Sequence, residues 1–149
     1  MTLTILGLDP GRDKCGVAVA AVPEALLDLP KALDLDRPSV LYHDIVSAEL
    51  TLTEIAALIL RFEVARLVLG NQTTSREWRS QIEAQFESLP VTLVDERNST
   101  LEARERYWQL YPASGMARWI PQALRSISRP VDDIVAIILI ERYLAQLGN

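Results

Sequence analysis

The chain has 149 residues, 49% hydrophobic and 23% charged, a composition that predicts one globular domain over residues 1–149 and excludes a disordered protein. Its only cysteine, Cys15, and only histidine, His43, exclude an internal disulfide and disfavour a nitrogen- and sulfur-ligated metal site, but not an oxygen-ligated one. The net charge of −5 disfavours nonspecific binding of nucleic acid by the whole surface.

No apolar run is long enough to cross a membrane, and the N-terminus shows no secretory signal. We therefore expect a cytoplasmic protein with no membrane partner. The charge is uneven, since residues 24–36 are acidic whereas residues 104–129 carry five arginines and one acidic side chain. Those arginines are equally compatible with a basic binding surface and with an ordinary solvated face.

The first predicted elements are two strands, at residues 3–8 and 15–22, joined in a hairpin by Asp9-Pro10-Gly11. Asp9 thus lies at the open end of a buried strand, where a carboxylate can hold a metal ion. Asp-Pro-Gly is also ordinary turn chemistry, so the hairpin alone leaves both interpretations open.

An irregular acidic excursion at residues 23–39 is followed by a third strand at residues 40–46. The capping-box spacing of Thr51 and Glu54 predicts a helix, whose apolar residues then recur at helical intervals. A central strand at residues 67–70 precedes a second helix, with Ser75 as its predicted cap.

The second half of the chain continues the alternation of strands and helices. A strand at residues 90–94 precedes a second capping box at Ser99 and Glu102, and residues 111–130 are rich in loop-forming residues. The Ile- and Val-rich segment 132–147 is predicted to be a buried helix because of its length and its polar positions. The predicted fold is therefore α/β, a mixed sheet whose first three strands are antiparallel and the rest parallel, with helices on both faces.

Three acidic residues stand at element ends that this topology brings to one sheet edge. Asp9 closes the first strand, Glu96 follows the strand ending at Val94, and Asp132 opens the last helix. Carboxylates meeting there repel one another unless cations bridge them. Magnesium prefers oxygen ligands, and paired ions can activate a water and stabilise the leaving oxygen in phosphodiester hydrolysis.

Each of these residues also has an alternative, purely structural interpretation. Glu96 lies between Asp95 and Arg97, and one of these three residues could simply form a surface ion pair. Asp132 could be a favourable acid in the first turn of a helix, and Asp133 competes for any role given to it.

Three motifs resemble those of the RuvX/YqgF family of RNase H-fold, Holliday-junction-resolvase-like nucleases, and they occur in the family's order along nearly the whole chain. They are Ile5–Gly11 with Gly16–Val19, the signature Val94-Asp95-Glu96-Arg97-Asn98-Ser99-Thr100-Leu101-Glu102-Ala103, and the closing segment Val131–Leu144. Residues Asn71–Thr74 depart from the family, which usually has a glycine-rich Gly-Leu-Pro-type loop at this place.

The resemblance implies a single RNase H-like nuclease domain with Asp9, Glu96 and Asp132 as catalytic residues and ligands of Mg²⁺ or Mn²⁺. The implied function is 5′ maturation of pre-16S rRNA in ribosome biogenesis. The alternative is resolution of Holliday junctions in branched DNA. A junction resolvase should be a two-fold homodimer, whereas a trimming nuclease can be a monomer.

Several basic residues are predicted to contact the nucleic-acid backbone: Arg12, Lys14, Arg97, Arg104, Arg118, Arg125 and Arg129. Arg97 could position a phosphate or orient Glu96 through a bidentate pair. Trp119 could stack on an unpaired base, although a tryptophan that pins a loop to the core is more common. Trp78, His43 and Cys15 are expected to be structural.

Two other functions are compatible with parts of the sequence. A non-catalytic nucleic-acid or ribosome-associated module could share the fold, and the acidic composition leaves room for it, although the complete acidic triad argues against it. An ATP-binding lobe could also open on such a hairpin. That class needs two lobes, and the sequence contains no second Asp-x-Gly hairpin.

Overall fold

The computed structural model describes residues 1–26 and 38–147, and its centre is a five-stranded sheet in the order β3-β2-β1-β4-β5. The strands are β1 (Thr2–Asp9), β2 (Lys14–Pro23), β3 (Ser39–Ser47), β4 (Arg66–Gly70) and β5 (Val91–Val94). β2 pairs antiparallel with β1 and β3, whereas β4 pairs parallel with β1 and β5. This confirms the predicted mixed sheet. Most of the predicted excursion at 23–39 lies outside the described residues.

Among the described residues, four α-helices cover the two faces of the sheet: α1 (Thr51–Phe62), α2 (Ser75–Gln85), α3 (Ser99–Leu110) and α4 (Asp132–Leu147). Residues of α1 and α2 share one apolar cluster, and residues of α3 and α4 share the other. Helices therefore lie on both faces, as predicted. In the part of the chain that the structure describes, no helix combines the length and the apolar character needed to span a membrane.

Neither predicted capping box forms, because each glutamate binds a side chain from a different element. The Glu54 carboxylate accepts a hydrogen bond from Tyr42 at 2.8 Å, and the Thr51 hydroxyl donates to the carbonyl of Ser47. The Glu102 carboxylate accepts from Arg142 at 2.8 Å. Ser75 is the first helical residue rather than the cap of α2. Tertiary contacts have replaced the local hydrogen bonds that the sequence spacing suggests.

The N-terminal half of helix α4 is buried on all sides, which explains why its sequence there locally resembles a strand. Every residue from Ile134 to Ile140 is at most 4% exposed. The helix packs across β1 and β2 on one side and against α3 on the other. A helix covered all round needs no polar face, so the continuous apolar run is compatible with the predicted helix.

Two glycines let α4 lie directly on the sheet and thereby fix the position of its first residue. A Cβ on Gly7 would meet the carbonyl oxygen of Ala136, and one on Gly16 would meet that of Asp132. Gly16 is the register partner of Asp9 in the β1–β2 ladder. The contact of α4 with Gly16 therefore places Asp132 beside the end of β1 that carries Asp9.

Candidate active site

Asp9 is the last residue of β1 and lies between the two other predicted carboxylates. The pKa of Asp9 is raised to about 8, mainly by burial and also by the negative charges of Glu96 and Asp132. A protonated Asp9 can also donate a hydrogen bond to either neighbour. The topology thus brings together three acids that are far apart in sequence, and Asp9 is their meeting point.

Glu96 follows β5 and is 2% exposed. Neither of its carboxylate oxygens has a hydrogen-bond partner among the described residues unless Asp9 is protonated and donates one. Burial raises its pKa to about 7, although a hydrogen bond from protonated Asp9 and the charge of Arg142 oppose the rise. The backbone of the same residue is held firmly, since its N–H donates to the side-chain oxygen of Asn71 at 3.3 Å. A fixed carboxylate with two unsatisfied oxygens is costly to bury unless it binds something.

Asp132 lies at the start of α4, and its Oδ2 is 3.5 Å from the ammonium nitrogen of Lys14. Both side chains line a cleft of about 290 Å³ at this edge of the sheet. Asp9, Arg12 and Thr100 also line it. Asp132 therefore joins the site from the solvent side, whereas Glu96 is buried and does not line this cleft.

Asp133, the competing candidate, makes different contacts. It is 1% exposed, and its carboxylate accepts hydrogen bonds from Arg129 at 2.8 Å. Its Oδ2 also lies 2.7 Å from Nδ1 of His43. Although burial raises the pKa of Asp133, these two partners outweigh it and the pKa is lowered overall. The structure thus places Asp132, and not Asp133, next to Asp9.

The donor set at this edge fits a hard divalent cation, because it consists of carboxylate oxygens with uncompensated charge. Within residues 1–26 and 38–147 no three His, Cys, Asp or Glu side chains form a ready-made metal cage. Mg²⁺ commonly binds through one or two carboxylates and completes its shell with waters and substrate phosphate. Glu96, Asp9 and Asp132 are the residues that would hold such an ion.

Because the pKa values of Asp9 and Glu96 are raised to about 8 and about 7, the folded state keeps protons that the unfolded state has already released. The free energy of unfolding of the metal-free protein should therefore fall as the pH rises from about 4.5 to about 8. Urea unfolding in EDTA across this window measures the slope. Added Mg²⁺ should reduce it, and a stability that stays level or rises with pH contradicts the carboxylate cluster.

Gly70, at the end of β4, makes room for the Glu96 carboxylate, since a Cβ at this position would collide with Oε1 of Glu96. We expect Gly70→Ala to displace that flexible side chain and to abolish metal binding, at a cost in stability of no more than about 3 kcal/mol. Calorimetric Mn²⁺ titration and urea unfolding together check this. Unchanged Mn²⁺ affinity would show that the site does not need Glu96 in this position. Glu96→Gln, which keeps the volume, is the matched comparison.

The residues predicted to contact the nucleic-acid backbone lie in several different places. Arg12 and Lys14 line the carboxylate cleft. The Arg97 side chain is 87% exposed and binds Asp95 at 2.9 Å, so it does not orient Glu96 as one alternative required. Arg129 is engaged by Asp133. The remaining predicted contacts, Arg104, Arg118 and Arg125, lie on α3 and the turns that follow it.

Of the aromatic and neutral residues, Trp78 is 9% exposed and Cys15 fully buried, as expected. Trp119 is 80% exposed, so the prediction that it pins a loop to the core is wrong. The reason is local: Trp119 lies in a 3₁₀ turn, Gly115–Trp119, that has no buried residue.

Two residues near the site were missed by sequence reasoning. Arg142 donates to the carbonyl oxygen of Asp95 at 2.7 Å and to Glu102, so it ties the segment before Glu96 to α4. The side-chain oxygen of Asn71 accepts a hydrogen bond from the Glu96 N–H, although the loop that contains Asn71 departs from the RuvX/YqgF pattern. Its position directly after the apolar strand β4 was the available signal.

No protein-family model matches this chain, and no curated protein sequence matches it. Solved structures do match over nearly its whole length. Fowlpox virus resolvase, in complex with Holliday junction DNA, aligns with a TM-score of 0.65 at 12% identity, covering 99% of this chain and 100% of that one. Thermus thermophilus RuvC in complex with a Holliday junction gives 0.57 at 17% identity, covering 97% and 94%. At such identities the likeness shows the fold alone, and the predicted RNase H-like class is confirmed.

Proposed function

We propose that this chain is a metal-dependent nuclease that hydrolyses phosphodiester bonds, with Asp9, Glu96 and Asp132 as its catalytic metal ligands. The observation that carries the proposal is the buried Glu96 carboxylate, with two unsatisfied oxygens, beside two further acids. Uncompensated negative charge destabilises a fold, so a purely structural role for this cluster is disfavoured. A cation-binding role explains the same arrangement, because the ion supplies the missing compensation.

The residues around the cluster suit a phosphate substrate. When bound, Mg²⁺ or Mn²⁺ supplies a charge that activates a water and stabilises the leaving oxygen. Asp9 and Asp132 would hold the ion at the open side of the site, and Glu96 would hold it from the buried side. Lys14 and Arg12 line the same cleft and would bind the phosphate oxygens that neighbour the scissile bond.

The resemblance to the RuvX/YqgF family supports the 5′ end of pre-16S rRNA as the substrate. The fold shared with two Holliday-junction resolvases supports the alternative, a four-way DNA junction. A junction resolvase should cut as a two-fold dimer, because both strands must be cut symmetrically.

Purified protein should therefore be incubated with a pre-16S rRNA fragment and with a four-way junction, in Mg²⁺, Mn²⁺ or EDTA. We expect cleavage of at least one substrate, and none in EDTA. Cleavage of the RNA alone supports rRNA maturation, whereas paired symmetric nicks together with a dimer in sedimentation support junction resolution. Binding without cleavage in any metal overturns the proposal in favour of a non-catalytic module.

A further inference from the structure

A second cleft, larger than the one at the carboxylates, lies between α3 and the turns before α4. Its volume is about 790 Å³, against about 290 Å³ at the carboxylates. Arg104 and Trp108 of α3 line one wall, and Arg125 lines the other. These two arginines and the indole ring outweigh the acidic Glu105, which also lines the cleft, and the proposed hydrolysis uses none of them.

The two clefts have no lining residue in common, but residues that line one are adjacent in sequence to residues that line the other. Thr100 and Asp132 line the carboxylate cleft, and their neighbours Leu101 and Val131 line the second. Both clefts therefore border the first turn of α3 and the start of α4. A polymer bound with one phosphate at the carboxylates would then run past the first turn of α3 towards the second cleft.

The rim of the second cleft carries an open aromatic surface. The Arg125 guanidinium donates to the carbonyl oxygen of Ile120 at 2.9 Å and lies 5.3 Å from the centre of the Trp108 ring. Arg125 thus ties the turns to α3. Trp119, one residue before Ile120, is 80% exposed, with the Arg118 guanidinium 5.7 Å from its ring. A fully presented indole with an adjacent arginine can stack on a base and neutralise its phosphate.

We propose that the second cleft and the Trp119 rim bind an unpaired nucleotide strand that leads away from the carboxylates. This inference rests on the proposed nuclease function and names the form of its substrate. Stacking on Trp119 requires an unpaired base, so single strands are favoured over duplexes. The exposed apolar side chains of Met116 and Leu124, in the same run of turns, would also suit a protein partner, but the arginines and the sequence neighbours that line both clefts favour a polyanion. Single-stranded RNA and DNA share this chemistry.

Fluorescence anisotropy in EDTA tests the inference without cleavage. The probes are labelled RNA and DNA single strands of about 12 nucleotides and the matching duplex. Trp119→Ala should weaken single-strand binding about tenfold and leave duplex binding unchanged, and Trp119→Phe should restore it. Leu60→Ala is the matched control, because Leu60 is 83% exposed but lies on α1, on the opposite face of the sheet. The stronger of the RNA and DNA arms identifies the polymer.

Arg104→Ala should reduce the dependence of log affinity on log salt by about 0.7, the value for one phosphate contact on a single strand. Arg61→Ala is its control, since Arg61 lies in the last turn of α1, at the sheet edge remote from Asp9. An unchanged salt slope for Arg104→Ala overturns the placement of the strand along α3.

Three results overturn the inference: single-strand affinity unchanged in Trp119→Ala, a preference of the wild type for duplex, or loss of self-association as the only effect of Trp119→Ala in sedimentation. The inference and the proposed function fail separately. Single-strand binding that needs Trp119 without any cleavage upholds the inference and removes the nuclease proposal. Cleavage without single-strand binding upholds the nuclease proposal and overturns the inference.

Discussion

Replacing Asp9 by asparagine should lower metal-dependent cleavage by more than about 100-fold and yet raise the stability of the metal-free protein at neutral pH. The activity should fall so far because even outer-shell partners of a bound metal are worth about 10- to 100-fold, and Asp9 lies between both other acids. The stability should rise because the ionised Asp9 of the unfolded chain must on folding either take up a proton or be buried as a charge beside Glu96 and Asp132, and an asparagine does neither. Opposite changes in activity and stability are typical of strained functional sites.

Cleavage rates at saturating Mn²⁺ and urea unfolding in EDTA test the two halves of this prediction. Asp13→Asn is the matched control, because Asp13 is an exposed aspartate in the same β1–β2 turn and lines the same cleft. It should keep activity within about tenfold, since an exposed charge near a phosphate contributes only a modest amount. An Asp9→Asn variant that cuts at the wild-type rate contradicts the site. A variant that is less stable than the wild type contradicts the repulsion among the carboxylates.

Local sequence patterns predicted the elements and their order correctly, because strand and helix periodicity depends on nearby residues. They also predicted that Asp9, Glu96 and Asp132 stand at element ends, and the parallel pairing of β1, β4 and β5 then brings two of these ends to one edge. The third residue, Asp132, reaches this edge only because Gly16 lets the backbone of α4 contact the sheet. The role of that glycine was not predicted, since it depends on a contact with a helix more than a hundred residues later.

Contacts between residues far apart in sequence also explain the other features that the sequence did not predict. His43 and Asp133 are 90 residues apart and lie 2.7 Å from each other. Glu102 and Arg142 are 40 apart, and their contact replaces the capping box that the local spacing suggested. Such pairs depend on where α4 crosses the sheet, which composition and periodicity do not encode. Local rules therefore predicted the positions of the three carboxylates better than the contacts that hold them in place.

The second large effect is expected at Asp133, and it should be an effect on stability. Asp133→Ala should lower the free energy of unfolding by about 3 kcal/mol, because it leaves Arg129 and His43 without their shared anion. This value is at the low end for buried ion pairs, since the Arg129 side chain is 37% exposed and can be partly rehydrated. The lowered pKa of Asp133 means that this stabilisation is present above about pH 4 and is lost as the pH falls through the lowered pKa.

Asp132→Asn provides the comparison, because the two aspartates are adjacent in sequence and differ in their contacts. It should abolish cleavage with little loss of stability, since the ion pair of Asp132 with the partly exposed Lys14 is long, at 3.5 Å, and Asp132 borders the acidic Asp9. Urea unfolding and cleavage rates, both measured on both variants, separate the effect of each residue on stability from its effect on activity. Loss of stability should follow position 133 and loss of cleavage position 132. If Asp133→Ala is as stable as the wild type and loses cleavage, whereas Asp132→Asn keeps it, the two residues have exchanged roles. The third ligand would then be the aspartate that now binds Arg129, which would require His43 and Arg129 to release it when metal binds.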